Sequence, residues 1–155
     1  MAKTIAPIET TIDILATPAT VWATVSDLRR MTDWSPEVIF QGFTHRRLRV
    51  GTRSLNFNKR KSFIWPTSSK ITDFEPEKKL SFYVYGAAAQ WTYTLEPTAT
   101  GTRLTERRDL KGAKRAVASK TTAALALGGI DSHDVELIEG MNKTLAHIKA
   151  EAESS

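Results

Sequence analysis

Residues 8–38 read IETTIDILATPATVWATVSDLRRMTDWSPEV, and the change of period inside this stretch decides the fold. Ile8, Thr10, Ile12 and Ile14 alternate with Glu9, Thr11, Asp13 and Leu15, the twofold period of a strand with one covered face. Thr17-Pro18 then opens a helix, because a threonine oxygen accepts an orphan amide and proline costs nothing where no internal donor is needed. Val21, Val25 and Leu28 follow at helical spacing with Trp22 beside them, and this helix is expected to end near Arg29 or Arg30. Met31 to Trp34 adds one short turn, stopped by Ser35-Pro36, and Asp27 is read as a cap or orienting residue for the segment.

Outward from there the texture becomes β-rich. Val38–Phe43, Thr52–Arg60, Phe63–Phe74, Leu80–Tyr85, Gln90–Glu96 and Thr102–Asp109 are short runs separated by turn chemistry at Val50-Gly51, Lys59–Ser62, Glu75-Pro76-Glu77, Gly86 and Thr98–Gly101. With no helical pattern between them, they imply an antiparallel meander. Residues 113–127 form an alanine-rich, basic helical stretch broken by Gly128-Gly129. Asp131 or Ser132 then caps a strong final helix, with Ile138, Met141, Leu145, Ile148 and Ala152 on one stripe and Leu137 and Thr144 at its margin.

Seven antiparallel strands and one helix long enough to cross them give an α+β helix-grip fold. A curved sheet wraps the C-terminal helix, two short helices follow the first strand, and residues 1–155 form one domain. A twisted sheet of that width must curl, and a helix about 10 Å across cannot fill its concave side. A hollow interior is therefore expected.

Composition narrows the function. The 155 residues carry a formal net charge of +5 and no cysteine, which excludes a disulfide framework, a thiolate nucleophile and thiolate metal sites. No run approaches the roughly 18 apolar residues of a membrane span, and Met1 to Ile8 lacks a signal-peptide layout, so a soluble, cytoplasmic protein is expected. His133 and His147 lie fourteen residues apart, roughly 21 Å along one helix, and with His45 the only other histidine no metal site is expected. The sequence also contains no GxSxG, phosphate loop or dinucleotide fingerprint.

Several segments are similar to START-like proteins of the polyketide cyclase/dehydrase and lipid-transport family, the superfamily of the pollen allergen Bet v 1. They are residues 16–38, Gly51 with Asn58, Trp65-Pro66-Thr67, Asp73-Phe74-Glu75-Pro76, residues 91–97, residues 101–106 and residues 140–145. The resemblance spans about Ile8 to Ala152 and implies the helix-grip fold already read from the element order. It implies a small hydrophobic ligand and no cofactor. One departure stands out: Ser54 occupies a position where relatives often carry an aromatic, with Leu55 and Phe57 on the opposite parity. Either a bulge restores the register or the pocket wall is altered there.

Candidate ligand-binding residues follow from strand parity and from the resemblance. Leu80, Phe82 and Val84 form one apolar set and Trp91, Tyr93 and Leu95 another, both expected to face the terminal helix with Met141 and Leu145. Glu106 and Arg108 share the parity of Leu104, and inward charges must meet each other, Tyr93 or a polar ligand. Asn58 and Trp65 match the family pattern, and the resemblance implies that Trp34 lies near the pocket mouth, though it serves equally well as a packing anchor at the helix-to-strand corner. The acid-free interval 38–72 holds eight basic residues. Within it Arg46, Arg47 and Arg49, with Lys59-Arg60-Lys61 on what is read as an adjacent strand end, form a candidate patch for an acidic partner or lipid headgroup, the alternative being a solvated edge. Nucleic acid is not the expected partner. Three readings result: a carrier of a lipid or polyketide-like aromatic, a cyclase or dehydratase using Tyr93, Glu106 or Arg108 in the same cavity, and an interaction module using the basic surface.

Overall fold

The first strand finds its partner at the far end of the chain. In the computed structural model, which describes residues 7–110 and 130–155, β1 (Ile8–Ile14) pairs with β7 (Thr102–Leu110) and not with β2 (Val38–Phe43). The remaining strands are β3 (Arg53–Arg60), β4 (Phe63–Glu75), β5 (Lys79–Tyr85) and β6 (Ala89–Pro97), and the antiparallel sheet runs β1-β7-β6-β5-β4-β3-β2. β1 and β2 are thus opposite edges. The segment between them, α1 (Pro18–Val25), a 3-10 turn (Leu28–Arg30) and α2 (Met31–Trp34), carries the chain across the open side of the sheet. The helix α3 (Ile130–Glu153) packs against β1, α1 and α2.

Local chemistry sets these boundaries. Thr17 caps α1 by accepting from Thr20 N at 3.3 Å, and Pro18 occupies the first turn as expected. α1 stops at Val25, short of Arg29, because Leu28–Arg30 tightens into the 3-10 turn. Asp27 makes no side-chain cap there, and only its carbonyl accepts, from Arg30 N at 3.0 Å. Asp131 and Ser132 fall within the span of α3, Ile130–Glu153. The alanine-rich helix expected over 113–127 lies outside the described residues.

The buried stripe of α3 is Leu137, Met141, Thr144, Leu145, Ile148 and Ala152, whereas Ile138 is 38% exposed. Helix geometry explains the shift. At about 100° per residue, a separation of 11 residues returns Leu137 to the face of Ile148, while Ile138 falls roughly 80° away. The continuous core gathers Ile14, Val21, Val25, Leu104, Ile148 and Ala152 with Trp34 beneath the second half of α3. Trp34 is a packing anchor: its indole Nε1 donates to Glu151 Oε2 at 3.2 Å, and Arg30 pairs with the other oxygen of that carboxylate while lying over the indole ring.

The β6–β7 turn presses directly on the end of β1. A Cβ at Gly101 would lie 2.1 Å from the Ile14 carbonyl oxygen and 2.9 Å from Ala16 N, both main-chain atoms that cannot swing aside. Gly101→Ala should therefore lower unfolding stability by about 2 kcal/mol or more, read from the denaturant midpoint, although the change adds a single methyl group.

Candidate functional site

The core fills one end of the cup and leaves the other end open. Between the inward faces of β2–β7, the corner Ser35–Val38 and the first half of α3 lies a cavity of ≈ 1070 Å³. That is at the upper end of the usual range for small-molecule sites. Asn58, Trp65, Phe82, Trp91, Tyr93, Glu106, Arg108 and Met141 all line it. Trp34 and Leu145 do not, because Trp34 is locked to Glu151 and Leu145 belongs to the solid core.

Strand order divides the wall into three zones. Phe82 on β5 and Trp91 on β6, with Ile71 on β4 and Met141 on α3, make an apolar centre. To one side, Tyr93 and Glu106 are cross-strand partners on β6 and β7, and Arg108 sits opposite Trp91. To the other side, β2, β3 and β4 present Gln41, Ser54, Asn56, Asn58, Thr67 and Ser69. Four strand spacings separate β7 from β3, roughly 19 Å along the curved surface.

The polar zone resolves the question raised by Ser54. β3 pairs with β4 in unbroken register from Arg53 to Arg60, and the irregularity falls on β2 between Val38 and Phe40. No bulge restores an aromatic to the interior: Ser54 is 6% exposed and faces inward, while Leu55 is 49% exposed on the outer face. The pocket wall itself is altered. Ser54 Oγ donates to Asn56 Oδ1 at 3.0 Å and meets the Ser69 hydroxyl, and Asn58 Nδ2 donates to Thr67 Oγ1 at 3.0 Å. Gln41 Nε2 donates to Asn56 Oδ1 at 3.1 Å, which leaves the buried Gln41 Oε1 without a hydrogen-bond partner among the described residues. Sequence reasoning found Asn58 but missed Asn56, Thr67 and Ser69, although they lie at steps of two from Asn58 and Trp65 and pair across the strands. At the rim, buried Arg60 forms an ion pair with Glu136 of α3.

Glu106 is 3% exposed and makes no ion pair with Arg108 or any other cation among the described residues. Its Oε2 accepts the Tyr93 hydroxyl at 2.9 Å, and its Oε1 has no partner among the described residues. Burial pushes this carboxyl up to about 8, against the opposing effect of the Tyr93 hydrogen bond. Tyr93 is itself raised well above the ordinary phenol range, first by burial and then by Glu106. The shift favours the neutral acid near neutral pH, with Oε1 as the oxygen not engaged by Tyr93.

The basic patch does not assemble. Arg46, Arg47 and Arg49 are exposed in the β2–β3 loop, whereas Lys59 and Lys61 lie at the opposite end of β3, about 25 Å away at the rise of a strand. Among the described residues no helix is long and apolar enough to cross a membrane, and no His, Asp and Glu cluster could hold a metal ion.

A curved antiparallel sheet gripping a terminal helix, with a lined cavity between them, defines the START-like, Bet v 1-like class of proteins. The chain belongs to the family described as polyketide cyclase / dehydrase and lipid transport, which matches residues 6–153. It is similar to the polyketide-cyclase-like protein Cgl2372 from Corynebacterium glutamicum, at 26% identity and TM-score 0.64 over 96% of this chain and 91% of that one. KanY protein shares the fold at TM-score 0.73 and 16% identity, over 96% of this chain and 97% of that one. The di-domain ARO/CYC StfQ from the steffimycin biosynthetic pathway does so at TM-score 0.72 and 14% identity, over 97% of this chain and 51% of that one. No curated protein matches the sequence.

The raised Glu106 carboxyl has a thermodynamic consequence. Between the ordinary carboxyl range and about pH 8 the folded protein holds a proton that the unfolded chain has lost, so stability falls as pH rises through that window. Denaturant unfolding from pH 5 to 9 should show a decline approaching about 1.4 kcal/mol per pH unit, and Glu106→Gln should flatten it. Tyr93→Phe, which removes the hydrogen bond favouring the carboxylate, should move the Glu106 titration higher still in carboxyl-carbon NMR.

Proposed function

We propose that the protein binds one amphipathic small molecule, a lipid or polyketide-like aromatic, in the cavity between sheet and α3. The observation that carries this reading is the order of zones in a single cavity: an apolar centre flanked by uncharged polar groups on β2–β4 and by Tyr93, Glu106 and Arg108 on β6 and β7. Removing the ligand's apolar surface from water at roughly 25 cal/mol per Å² supplies the driving force. The polar zones set orientation, each matching an oxygen-bearing region of the ligand, and the middle of the molecule rests on Phe82, Trp91 and Met141.

A second reading follows from Glu106 itself. A neutral carboxylic acid, held by Tyr93 at Oε2 and open at Oε1, can donate its proton to a ligand carbonyl as a carbon nucleophile attacks it. Ring closure and dehydration both need such a donor. On this reading the protein is a cyclase or dehydratase, and Glu106 is its general acid.

A panel of lipids and aromatic polyketides tests both. A true ligand at about 100 times its dissociation constant adds roughly 2.7 kcal/mol and should raise the melting temperature by about 5–10 °C. Asn58→Leu should weaken that ligand about tenfold, since the hydrogen bond to Thr67 and the polar surface beside it are lost together. No shift with any member of the panel overturns the binding reading. For the enzyme reading, Glu106→Gln should abolish turnover while leaving affinity within a few-fold, and unchanged turnover removes Glu106 as the acid.

A further inference from the structure

Two large apolar side chains stand exposed side by side next to the turn between β3 and β4. Phe63 is 41% exposed and Ile64 52% exposed, immediately after the two-residue turn Lys61-Ser62. Phe40, 53% exposed, continues the apolar surface over the outer face, where its ring lies 5.9 Å from that of Phe57. Lys59 and Lys61 are exposed beside them, while the nearby Glu136 is engaged by Arg60. Lys61 also holds φ at 57°, the left-handed region that a glycine would occupy without strain. The tip is next to the site: Lys59, Lys61, Phe63 and Trp65 all border the cavity.

We propose that the β3–β4 tip docks on an anionic lipid bilayer, with Phe63 and Ile64 entering the interfacial layer and Lys59 and Lys61 lying at the headgroup phosphates. An apolar pair that opens a strand just after a lysine-bearing turn meets a fluid surface without needing a shaped partner, and opposite charge draws it there. Docking by this edge brings the cavity rim to the membrane surface, so an amphipathic ligand has a short route between bilayer and protein. The proposal stands whether or not the cavity ligand is identified, because empty protein should dock as well.

Sedimentation with vesicles of phosphatidylcholine containing roughly one-third phosphatidylglycerol tests it. The protein should bind these vesicles, bind pure phosphatidylcholine at least tenfold less, and lose affinity as salt rises. The double variant Phe63→Ser, Ile64→Ser should lose about tenfold or more while remaining folded, since both residues are exposed. Lys61→Gly separates binding from stability: it should resist denaturant better than the parent yet bind about fivefold more weakly. Trp65 stacks on Phe63 with ring centroids 5.4 Å apart, so brominated lipids should quench tryptophan emission, and Trp65→Phe should remove most of that quenching. Absence of binding to the mixed vesicles, or binding unchanged in the serine double variant, overturns the proposal. So does a concentration-dependent dimer that the same double variant abolishes, which would assign this surface to a second copy of the chain.

Discussion

One helix cannot fill a seven-stranded cup, and the rest of the molecule is arranged around that mismatch. The chain concentrates its close packing beneath the second half of α3, where Ile148 and Ala152 meet α1 and β1. Glu151 fastens that end to Arg30 and Trp34, Glu153 accepts from Leu15 N at 2.8 Å, and Lys149 reaches the Asp13 carbonyl at 2.9 Å. With one end of the helix held so firmly, the other end can span an opening without collapsing into it. At that end Arg60 and Glu136 join the rim of the sheet to the helix.

The cavity wall shows how buried polarity is made tolerable. Unpaired polar atoms away from water are expensive, and the side chains on β3 and β4 meet that demand mostly among themselves. Ser54, Asn56, Asn58, Thr67 and Ser69 form a hydrogen-bonded lattice on two adjacent strands. Among the described residues, Gln41 Oε1 and Glu106 Oε1 are left without a partner and face the same interior from opposite sides of the sheet.

The element order and the antiparallel meander could be read from period alone, because alternation in residues 8–14 and 52–60 and helical spacing in 137–152 are strong local signals. The inward parity of Glu106 and Arg108 followed from Leu104, and that of Tyr93 from Trp91 and Leu95, by the same rule. Three features escaped for physical reasons. The polar wall depends on continuous β3 register, and one shifted residue would have reversed every assignment on that strand. Trp34 and Leu145 carry side chains that suit a core and a cavity equally, so only the hydrogen bond to Glu151 and the packing distinguish them. The two basic clusters seemed adjacent because they flank one strand in sequence, but an extended strand sets its ends far apart.

The pairing of β1 with β7 has a consequence for how the protein is made. The strands from β2 to β7 each pair with their neighbour in sequence, so that hairpins can form one after another as the chain leaves the ribosome. β1 emerges first yet has no strand beside it until residues 102–110 have been synthesised, and α3 emerges after those. The opening strand must therefore wait through most of translation with its amides unsheltered, and its alternating Glu9 and Asp13 give that waiting edge charges that discourage pairing with other nascent chains.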